Sequence, residues 1–352
     1  MGVISDDLTG AGDTGVQFAD RGMKVTVSAD VDNIEEIPSD TEVWIISTNS
    51  RGYSSSRAAR LVRKAVGVLK EWKAGYYYKK IDSTLRGNIG AELDALIEEL
   101  ELDALPLCAA FPQMGRTTVN NVQYLWGREI RETEYSPDIK SPGTGSGLEE
   151  ILSGQMKNYE KVKVLNASTD GDLERLAEEN PVCCFAGASA WAGKLAGAWL
   201  SSPRKTPPLL LQPGPVLLLC GSMNPVSLKQ VRLWEENGKK IIISGGDFNK
   251  NELSGDILIK TPEEESSSAL KKLVKLAGKV FEAGEFRRAV LCGGDTAREF
   301  LGSLGVNTLS VIKSAAPGSA LVSSGDFFFI LKPGGYGDPE SFLTLAGVLG
   351  GR

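Results

Sequence analysis

The chain has 352 residues, 41% of them hydrophobic and 24% charged, which is typical of globular proteins with more than one domain. The formal net charge of −6 argues against a general nucleic-acid-binding protein. The apolar runs are too short to span a bilayer, and the N-terminus lacks the basic region of a signal peptide. We therefore expect a cytoplasmic protein without a membrane partner.

Two residue types narrow the chemistry further. The chain contains no histidine, which excludes a Ser-His-Asp triad, a Cys-His pair and a histidine-ligated metal within one chain. A general base must then be Asp, Glu, Lys, Tyr or Cys, and a metal must be held by oxygen ligands, which favours Mg²⁺. The five cysteines form no C-x-x-C pair and lie in apolar runs, so we expect buried, reduced thiols.

The chain opens with a predicted strand, an acidic tip and a glycine-containing turn. The strand covers residues 3–6 and ends in Asp6 and Asp7, the turn covers residues 9–13, and a helical pattern includes Val16. Ligands of open α/β sheets bind beyond the carboxyl ends of strands, and helix N-termini attract anions. The stretch therefore predicts an anion site beside carboxylates. The alternative is a tight turn whose aspartates cap the helix.

Strands and helices alternate along the rest of the chain. In the first half, strands are predicted over residues 24–28, 43–48, 76–81, 105–111, 162–166 and 182–186, and helices over 54–72, 89–100 and 188–200. In the second half, strands are predicted over residues 216–220, 241–244, 257–260, 289–292, 309–311 and 327–331. The alternation predicts an α/β fold: two α/β domains with mainly parallel sheets and a cleft between them.

Two segments interrupt this alternation. Residues 136–147 are rich in Pro, Gly and Ser and predict a loop, which is either a binding loop or a surface excursion. Residues 201–208 form the best linker candidate. We therefore expect one domain over residues 1–208 and a second over residues 209–352.

Polar side chains of both signs follow neighbouring predicted strands in the first half. They are Asp6, Asp7, Arg51, Lys80, Asp82, Ser83, Thr84 and Arg86. If these strands are parallel, their ends converge in one cleft, where the cations suit a carboxylate and the aspartates suit sugar hydroxyls. The alternative is a salt-bridge network at the sheet edge. Arg116, in a polar turn after residue 111, is a further candidate for this cleft, although Thr117 or Thr118 of that turn can instead cap a helix.

Three glycine turns follow predicted strands in the second half. Each places glycine where backbone N–H groups can approach a polyphosphate. The candidates are Ser222, Gly293, Gly294, Asp295, Thr296, Gly334 and Gly335. Asp295 is the candidate Mg²⁺ ligand. None of the turns matches a P-loop or a G-x-G-x-x-G motif, so each alone is a weak signal. Together, at the same ends of successive strands, they predict a nucleotide site.

Six blocks together resemble a known family, the four-carbon acid sugar kinases. The blocks are Ser-Asp-Asp-Leu-Thr-Gly-Ala (5–11), Lys-Ile-Asp-Ser-Thr-Leu-Arg-Gly-Asn (80–88), Gly-Arg-Thr-Thr-Val-Asn (115–120), Gly-Ser-Met-Asn-Pro (221–225), Gly-Gly-Asp-Thr (293–296) and Lys-Pro-Gly-Gly-Tyr-Gly (332–337). The resemblance runs nearly end to end. It implies an N-terminal acid-sugar domain, a C-terminal nucleotide domain, and the use of ATP.

The resemblance also implies roles for individual residues. Asp7, Arg51, Lys80, Asp82 and Ser83 match substrate positions of the family, and Ser222, Gly293, Gly294, Asp295, Thr296 and Gly335 match ATP positions. Family members are usually longer, and many carry histidine in the segment that matches residues 124–147. This departure leaves open a related acid sugar, or a ketose or sugar of another length. Gly-Ala-Gly-Asp (10–13) also resembles the anion-hole motif of ribokinase-type kinases, although it lies at the wrong end of the chain.

We therefore expect an ATP- and Mg²⁺-dependent kinase acting on a small sugar acid. Asp7 is the leading candidate for the catalytic base, with Asp82 and Asp13 as rivals. The sequence leaves the oligomeric state open, with a homodimer as one candidate assembly. Two other classes stay open: a non-catalytic sensor that binds nucleotide or sugar acid, and an α/β dehydrogenase, against which the missing G-x-G-x-x-G motif counts.

Overall fold

The chain forms two compact units, Met1–Lys205 and Thr206–Arg352. The computed structural model describes residues 1–133, 135, 147–180, 182–199, 204, 211–245, 248–249, 253–262 and 268–352. Residues 136–146 of the predicted loop and all of the predicted linker except Arg204 lie outside the described residues.

The first unit is built on a parallel sheet with the strand order β2-β3-β1-β4-β10-β5-β9. Its strands are β1 (Gly2–Ser5), β2 (Val25–Ser28), β3 (Val43–Ser47), β4 (Tyr77–Lys80), β5 (Leu105–Cys108), β9 (Val162–Val164) and β10 (Cys184–Gly187). A small antiparallel sheet contains β6 (Arg116–Val119), β7 (Val122–Leu125) and β8 (Arg128–Glu129). The helices are α1 (Leu8–Ala19), α2 (Ser55–Glu71), α3 (Ile89–Leu100), α4 (Leu148–Gln155), α5 (Asp170–Glu179) and α6 (Ser189–Trp199).

Burial explains why the central strands lack an alternating pattern. All residues of β1 and β3 are buried, as expected for a parallel sheet covered by helices on both faces. The amphipathic helix α2 turns Ala58, Leu61 and Leu69 towards this core and its charged residues away from it. The apolar runs therefore place the polar strand ends at one edge of a rigid sheet.

The second unit has the strand order β12-β13-β11-β14-β17-β16-β15. Its strands are β11 (Leu217–Cys220), β12 (Lys240–Ile243), β13 (Ile257–Lys260), β14 (Arg288–Cys292), β15 (Thr308–Ala316), β16 (Ser319–Ser324) and β17 (Phe327–Lys332). Its helices are α7 (Pro225–Glu236), α8 (Ala269–Ala283), α9 (Gly294–Ser303) and α10 (Ser341–Gly350). The pairs β15–β16 and β16–β17 are antiparallel, and the other pairs are parallel.

The predicted α/β class with a mainly parallel sheet is confirmed, but four local predictions are wrong. Residues 9–13 are not a turn, because α1 begins at Leu8 and includes them. Thr117 and Thr118 do not cap a helix, since they lie in β6 of a hairpin. Cys183 is exposed, so the prediction that the cysteines are buried fails at this residue. The helix after β14 begins at Gly294, which places Asp295 in its first turn. In the described part of the chain, no helix is long and apolar enough to cross a membrane.

Candidate active site

Parallel pairing brings the polar strand ends of the first unit together. Strand β1 lies between β3 and β4, and Ser5 is level with Ser47 on one side and with Lys80 on the other. The residues that follow these strands therefore leave the sheet at one edge. This edge carries the candidates that sequence spacing suggested for the first unit.

Arg51 lies at the centre of this cluster. Its Nε donates to Asp6 Oδ2 at 2.7 Å, and its Nη2 lies 3.1 Å from Asp7 Oδ1 and 3.7 Å from Asp82 Oδ1. Burial alone would raise the pKa of Asp6, but Arg51 and Lys79 hold that pKa below its ordinary value. A single guanidinium thus holds three carboxylates, two that follow β1 and one that follows β4.

Asp82 has a second cationic partner. Arg86 donates from Nε to Asp82 Oδ2 at 2.7 Å and from Nη2 to Oδ1 at 3.0 Å, and the Thr84 hydroxyl also donates to Oδ2. Burial alone would raise the pKa of Asp82, but Arg86 and Arg51 hold it well below its ordinary value. The Arg86 guanidinium lies 5.3 Å from the centre of the Tyr135 ring. Asp82 is therefore a persistent carboxylate with little tendency to accept a proton.

Asp7 caps helix α1. Its Oδ1 accepts a hydrogen bond from the Gly10 amide at 2.9 Å, and its Oδ2 accepts one from the Thr9 hydroxyl at 2.6 Å. The capping alternative considered from the sequence is therefore what the structure shows for Asp7. Its side chain is also 15% exposed, compared with 4% for Asp6 and 9% for Asp82. Asp7 is the most accessible of these three carboxylates.

Lys80 lies behind this cap, at the end of β4. Its side chain is buried, and its Nζ donates to the Ile81 carbonyl at 2.8 Å. A Cβ atom at Gly10 would lie 3.3 Å from Lys80 Nζ and 2.5 Å from Asp7 Oδ1. Glycine at position 10 therefore lets the first turn of α1 approach both the ammonium and the carboxylate.

Asp13 lies one turn further along α1. Burial raises its pKa, although Lys80 and the hydrogen bond from Ser189 oppose that shift. Ser189 donates to Asp13 Oδ2, while Oδ1 has no hydrogen-bond partner in the described part of the chain. Ser189 was missed by sequence reasoning; it opens α6 directly after β10, which lies beside β4.

A buried polar network supports the segment that carries Arg51. Lys79 Nζ lies 2.7 Å from Glu92 Oε2, and the Ser50 hydroxyl donates to Glu92 Oε1 at 2.5 Å. Asn88 Nδ2 donates to the carbonyls of Ser50 at 3.1 Å and Tyr53 at 3.0 Å. Sequence reasoning missed these residues, because nothing in their spacing shows that α3 faces the end of β3.

The remaining first-unit candidates, Ser83 and Arg116, are both buried. Ser83 is buried, and its carbonyl accepts a hydrogen bond from Gln123 Nε2 at 2.9 Å. Gln123 belongs to β7, so the small antiparallel sheet packs against the segment after β4. Arg116 is buried in β6, and its charge opposes the rise that burial causes in the pKa of Asp13. Arg116 therefore reaches the candidate site from the hairpin.

The second unit brings its three glycine turns together in a similar way. Strand β14 lies between β11 and β17, and each of these strands ends at the same level. A Cβ atom at Gly334 would collide with Ser222 Oγ, and one at Gly221 would collide with Thr296 Oγ1. Gly293 has a φ angle of +105°, a backbone conformation that would be strained for a residue with a side chain. The candidate nucleotide residues thus form one compact cluster.

Helix α9 begins within this cluster. Gly294, Asp295 and Thr296 form its first turn, where free backbone N–H groups suit an anion. Asp295 is exposed and Thr296 is buried. Within the described residues, no group of three or more Cys, Asp or Glu side chains is arranged to hold a metal ion. A cation here would need oxygen ligands from a bound phosphate in addition to Asp295.

Two buried side chains of α7 hold the third glycine turn. The Ser227 hydroxyl donates to the Gly334 carbonyl at 2.6 Å. Gln230 Nε2 donates to the carbonyls of Tyr336 at 3.1 Å and Asp338 at 2.9 Å. The segment that contains Gly335 is thus anchored at both ends. Sequence reasoning missed both donors, which lie three residues apart on one face of the helix.

Two family models match the chain. A sugar-binding N-terminal domain matches residues 1–190, and a nucleotide-binding C-terminal domain matches residues 250–342. Among solved structures, a Haemophilus influenzae protein has a TM-score of 0.73 at 21% identity and covers 99% of both chains. A Bordetella bronchiseptica protein, solved with bound citrate as a domain-swapped dimer, has a TM-score of 0.51 at 26% identity and covers 100% of this chain and 98% of its own.

Curated relatives carry enzymatic names. A D-threonate kinase from Bordetella bronchiseptica is 26% identical over 98% of this chain and 96% of its own. A 3-oxo-tetronate kinase from Pseudomonas savastanoi is 25% identical over 100% of this chain and 97% of its own. A D-erythronate kinase from Heliobacterium modesticaldum is 36% identical, but over 44% of this chain and 36% of its own.

A sugar-binding domain followed by a nucleotide-binding domain defines a class of two-domain sugar kinases, which are phosphotransferases. Within this class, the chain belongs to the four-carbon acid sugar kinase family.

Proposed function

We propose that the protein is an ATP-dependent kinase that phosphorylates a hydroxyl group of a small sugar acid with four carbons. The observation that carries the proposal is the cluster of cations and carboxylates around Arg51, at the carboxyl ends of three parallel strands. The names of the curated relatives support the same reaction. In this proposal, residues 1–208 bind the sugar acid and residues 209–352 bind the nucleotide.

The charges of the first unit suit a substrate with one carboxylate. The cationic candidates are Arg51, Lys80, Arg86 and Arg116, and the acidic candidates are Asp6, Asp7, Asp13 and Asp82. These formal charges balance in the absence of substrate. A substrate carboxylate can pair with the cations, while aspartate oxygens accept hydrogen bonds from substrate hydroxyls.

Asp7 is the proposed general base. Its carboxylate is the most exposed among Asp6, Asp7 and Asp82, so a substrate hydroxyl can approach it. Asp82 is held by two arginines that keep it ionised. Asp13 is buried and accepts a hydrogen bond from Ser189, so a substrate hydroxyl has less access to it than to Asp7.

The second unit is proposed to hold ATP through backbone and hydroxyl donors. Ser222 and Thr296 supply hydroxyls, and Gly293, Gly294, Gly334 and Gly335 supply backbone that a polyphosphate can approach closely. Asp295 is the proposed protein ligand of Mg²⁺, an ion commonly bound by one or two carboxylates together with substrate phosphates. When bound, Mg²⁺ neutralises developing charge on the phosphates. We further infer a cytoplasmic homodimer, with the dimer of the Bordetella protein as its precedent.

Replacing Asp7 by asparagine tests the proposed base. We expect Asp7→Asn to lower kcat by about 10²-fold or more, because asparagine cannot take the proton, while the Kd for ATP stays unchanged. Asparagine is also a good helix N-cap, so α1 should remain intact. Steady-state kinetics and calorimetric ATP titration measure both quantities.

The matched control is Asp103→Asn, which makes the same substitution at an exposed position of the first unit and should behave as the wild type. An Asp7→Asn enzyme with wild-type kcat would remove Asp7 from this role. Binding of ATP without any turnover by the wild type would instead favour a sensor.

A further inference from the structure

Three residues at the ends of neighbouring strands lie under the glycine turns of the second unit. Cys220, Cys292 and Lys332 end β11, β14 and β17, and parallel pairing sets Cys220 level with Cys292 and Cys292 level with Lys332. Residues at the same level of parallel strands point to the same face of a sheet. Their side chains therefore form a row beneath the turns that begin at Gly221, Gly293 and Pro333.

Lys332 is buried without a carboxylate partner. Its exposed fraction is 1%, and among the described residues no carboxylate forms an ion pair with it. Its Nζ donates to the Pro333 carbonyl at 3.1 Å and to Cys292 Sγ at 3.9 Å, and lies 5.4 Å from the centre of the Phe342 ring. Burying an ammonium group is costly unless a counter-charge compensates it.

The ammonium lies close to the backbone that forms the candidate phosphate site. Its carbonyl partner, Pro333, directly precedes Gly334, and the Gly293 amide donates to the Lys332 carbonyl at 2.9 Å. The Ser227 hydroxyl links the same elements, since it lies 3.3 Å from Cys292 Sγ and donates to the Gly334 carbonyl. A polyphosphate held by these turns would place its negative charge directly above Lys332.

We propose that Lys332 is a buried positioning residue that supplies positive charge to the polyphosphate of the bound nucleotide from beneath the glycine turns. The inference rests on the proposed function, because it takes a nucleotide as the ligand of the second unit. Lys332 acts through its charge and through the Pro333 carbonyl that it holds, and its effect should increase with the number of phosphates.

The alternative to a bound polyphosphate as the counter-charge of Lys332 is a thiolate on Cys292. A hydrogen bond from Cys220, with the charge of Lys332, lowers the pKa of Cys292 to about 6, whereas that same pairing and burial raise the pKa of Cys220. If the thiolate alone compensates Lys332, then the ammonium belongs to the core of the unit and nucleotide binding does not depend on it. The two assignments make different predictions for the same variant.

The test compares nucleotide affinities of Lys332→Met with those of the wild type, using calorimetric titration with ATP, ADP, AMP and adenosine. Methionine keeps the length of the side chain and removes its charge, and without the ammonium no buried cation needs a counter-charge, so the variant should fold. We expect ATP affinity to fall about tenfold or more, ADP and AMP affinity to fall progressively less, and adenosine affinity to stay within about twofold.

Two further variants serve as rescue and control. Lys332→Arg keeps the charge and should retain most of the ATP affinity, and Lys279→Met removes an exposed charge from α8 of the same unit and should have no effect. Unchanged ATP, ADP and AMP affinities in Lys332→Met, or an equal loss for adenosine, would overturn the role of Lys332 alone. A wild-type protein that binds none of the four ligands would overturn both this inference and the nucleotide site of the proposed function.

Discussion

The buried ion pair between Lys79 and Glu92 supports the chain segment that carries Arg51. Glu92 also accepts a hydrogen bond from Ser50, the residue before Arg51. A buried pair contributes little compared with apolar residues of the same volume, but removing one partner leaves an uncompensated charge. We therefore infer that the main role of the pair is to fix the position of Arg51.

At the residue scale, we expect Glu92→Gln to lower the free energy of unfolding by about 3 kcal/mol, because Lys79 then stays buried without a carboxylate. Denaturant unfolding measures the change. Glu98→Gln is the matched control on the same helix: its ion pair with Arg63 is exposed, so its loss should matter little. Equal stabilities of the two variants would contradict the assigned role of Glu92.

A second prediction at the residue scale concerns Asp82 and the pH dependence of stability. Its pKa is lower in the folded protein than in the unfolded chain, so it stabilises the fold above about pH 4 and loses that contribution as the pH falls through the folded pKa. We expect Asp82→Asn to flatten the acid dependence of unfolding below about pH 4, where the wild type loses this contribution. An acid dependence as steep as that of the wild type would show that Asp82 is not held by its arginines.

At the element scale, helix α7 anchors the last glycine turn through Ser227 and Gln230. We expect the double variant Ser227→Ala, Gln230→Leu to weaken ATP binding about tenfold, because the Gly334–Asp338 segment loses three hydrogen bonds, and to leave sugar-acid binding unchanged. Calorimetry with each ligand measures both effects. Lys229→Ala, on the exposed side of α7, should change neither, and a matching loss of sugar-acid affinity would contradict the assignment.

The elements also show what the sequence could predict. The central strands were identified because buried parallel strands are continuous apolar runs, and their shared direction brought Arg51, Asp7 and Asp82 together as spacing suggested. The start of α1 was misjudged because Gly10 and Gly12 are typical of turns, whereas here Gly10 allows a close helix approach. Ser189 and Glu92 were missed because their neighbours in space are far away in sequence.

At the scale of the whole molecule, the chain divides its chemistry between two α/β units. The first unit places charged side chains at strand ends, and the second places glycine turns and a helix N-terminus there. Sequence could predict this division, because the two kinds of strand end differ in residue type. It could not identify the substrate, because Arg51 and Arg86 are recognisable as cations but the shape of the space they enclose depends on packing.

The measurement that tests the central claim most directly is ADP release by the wild-type protein with Mg²⁺ and ATP. D-threonate, D-erythronate and 3-oxo-tetronate form the test panel, and neutral four-carbon sugars are the controls. We predict ADP release that depends on at least one of the acids, with a phosphorylated acid as the product, and none with the neutral sugars. Background ADP release that no acid increases, from a protein that binds ATP, would contradict the proposed function.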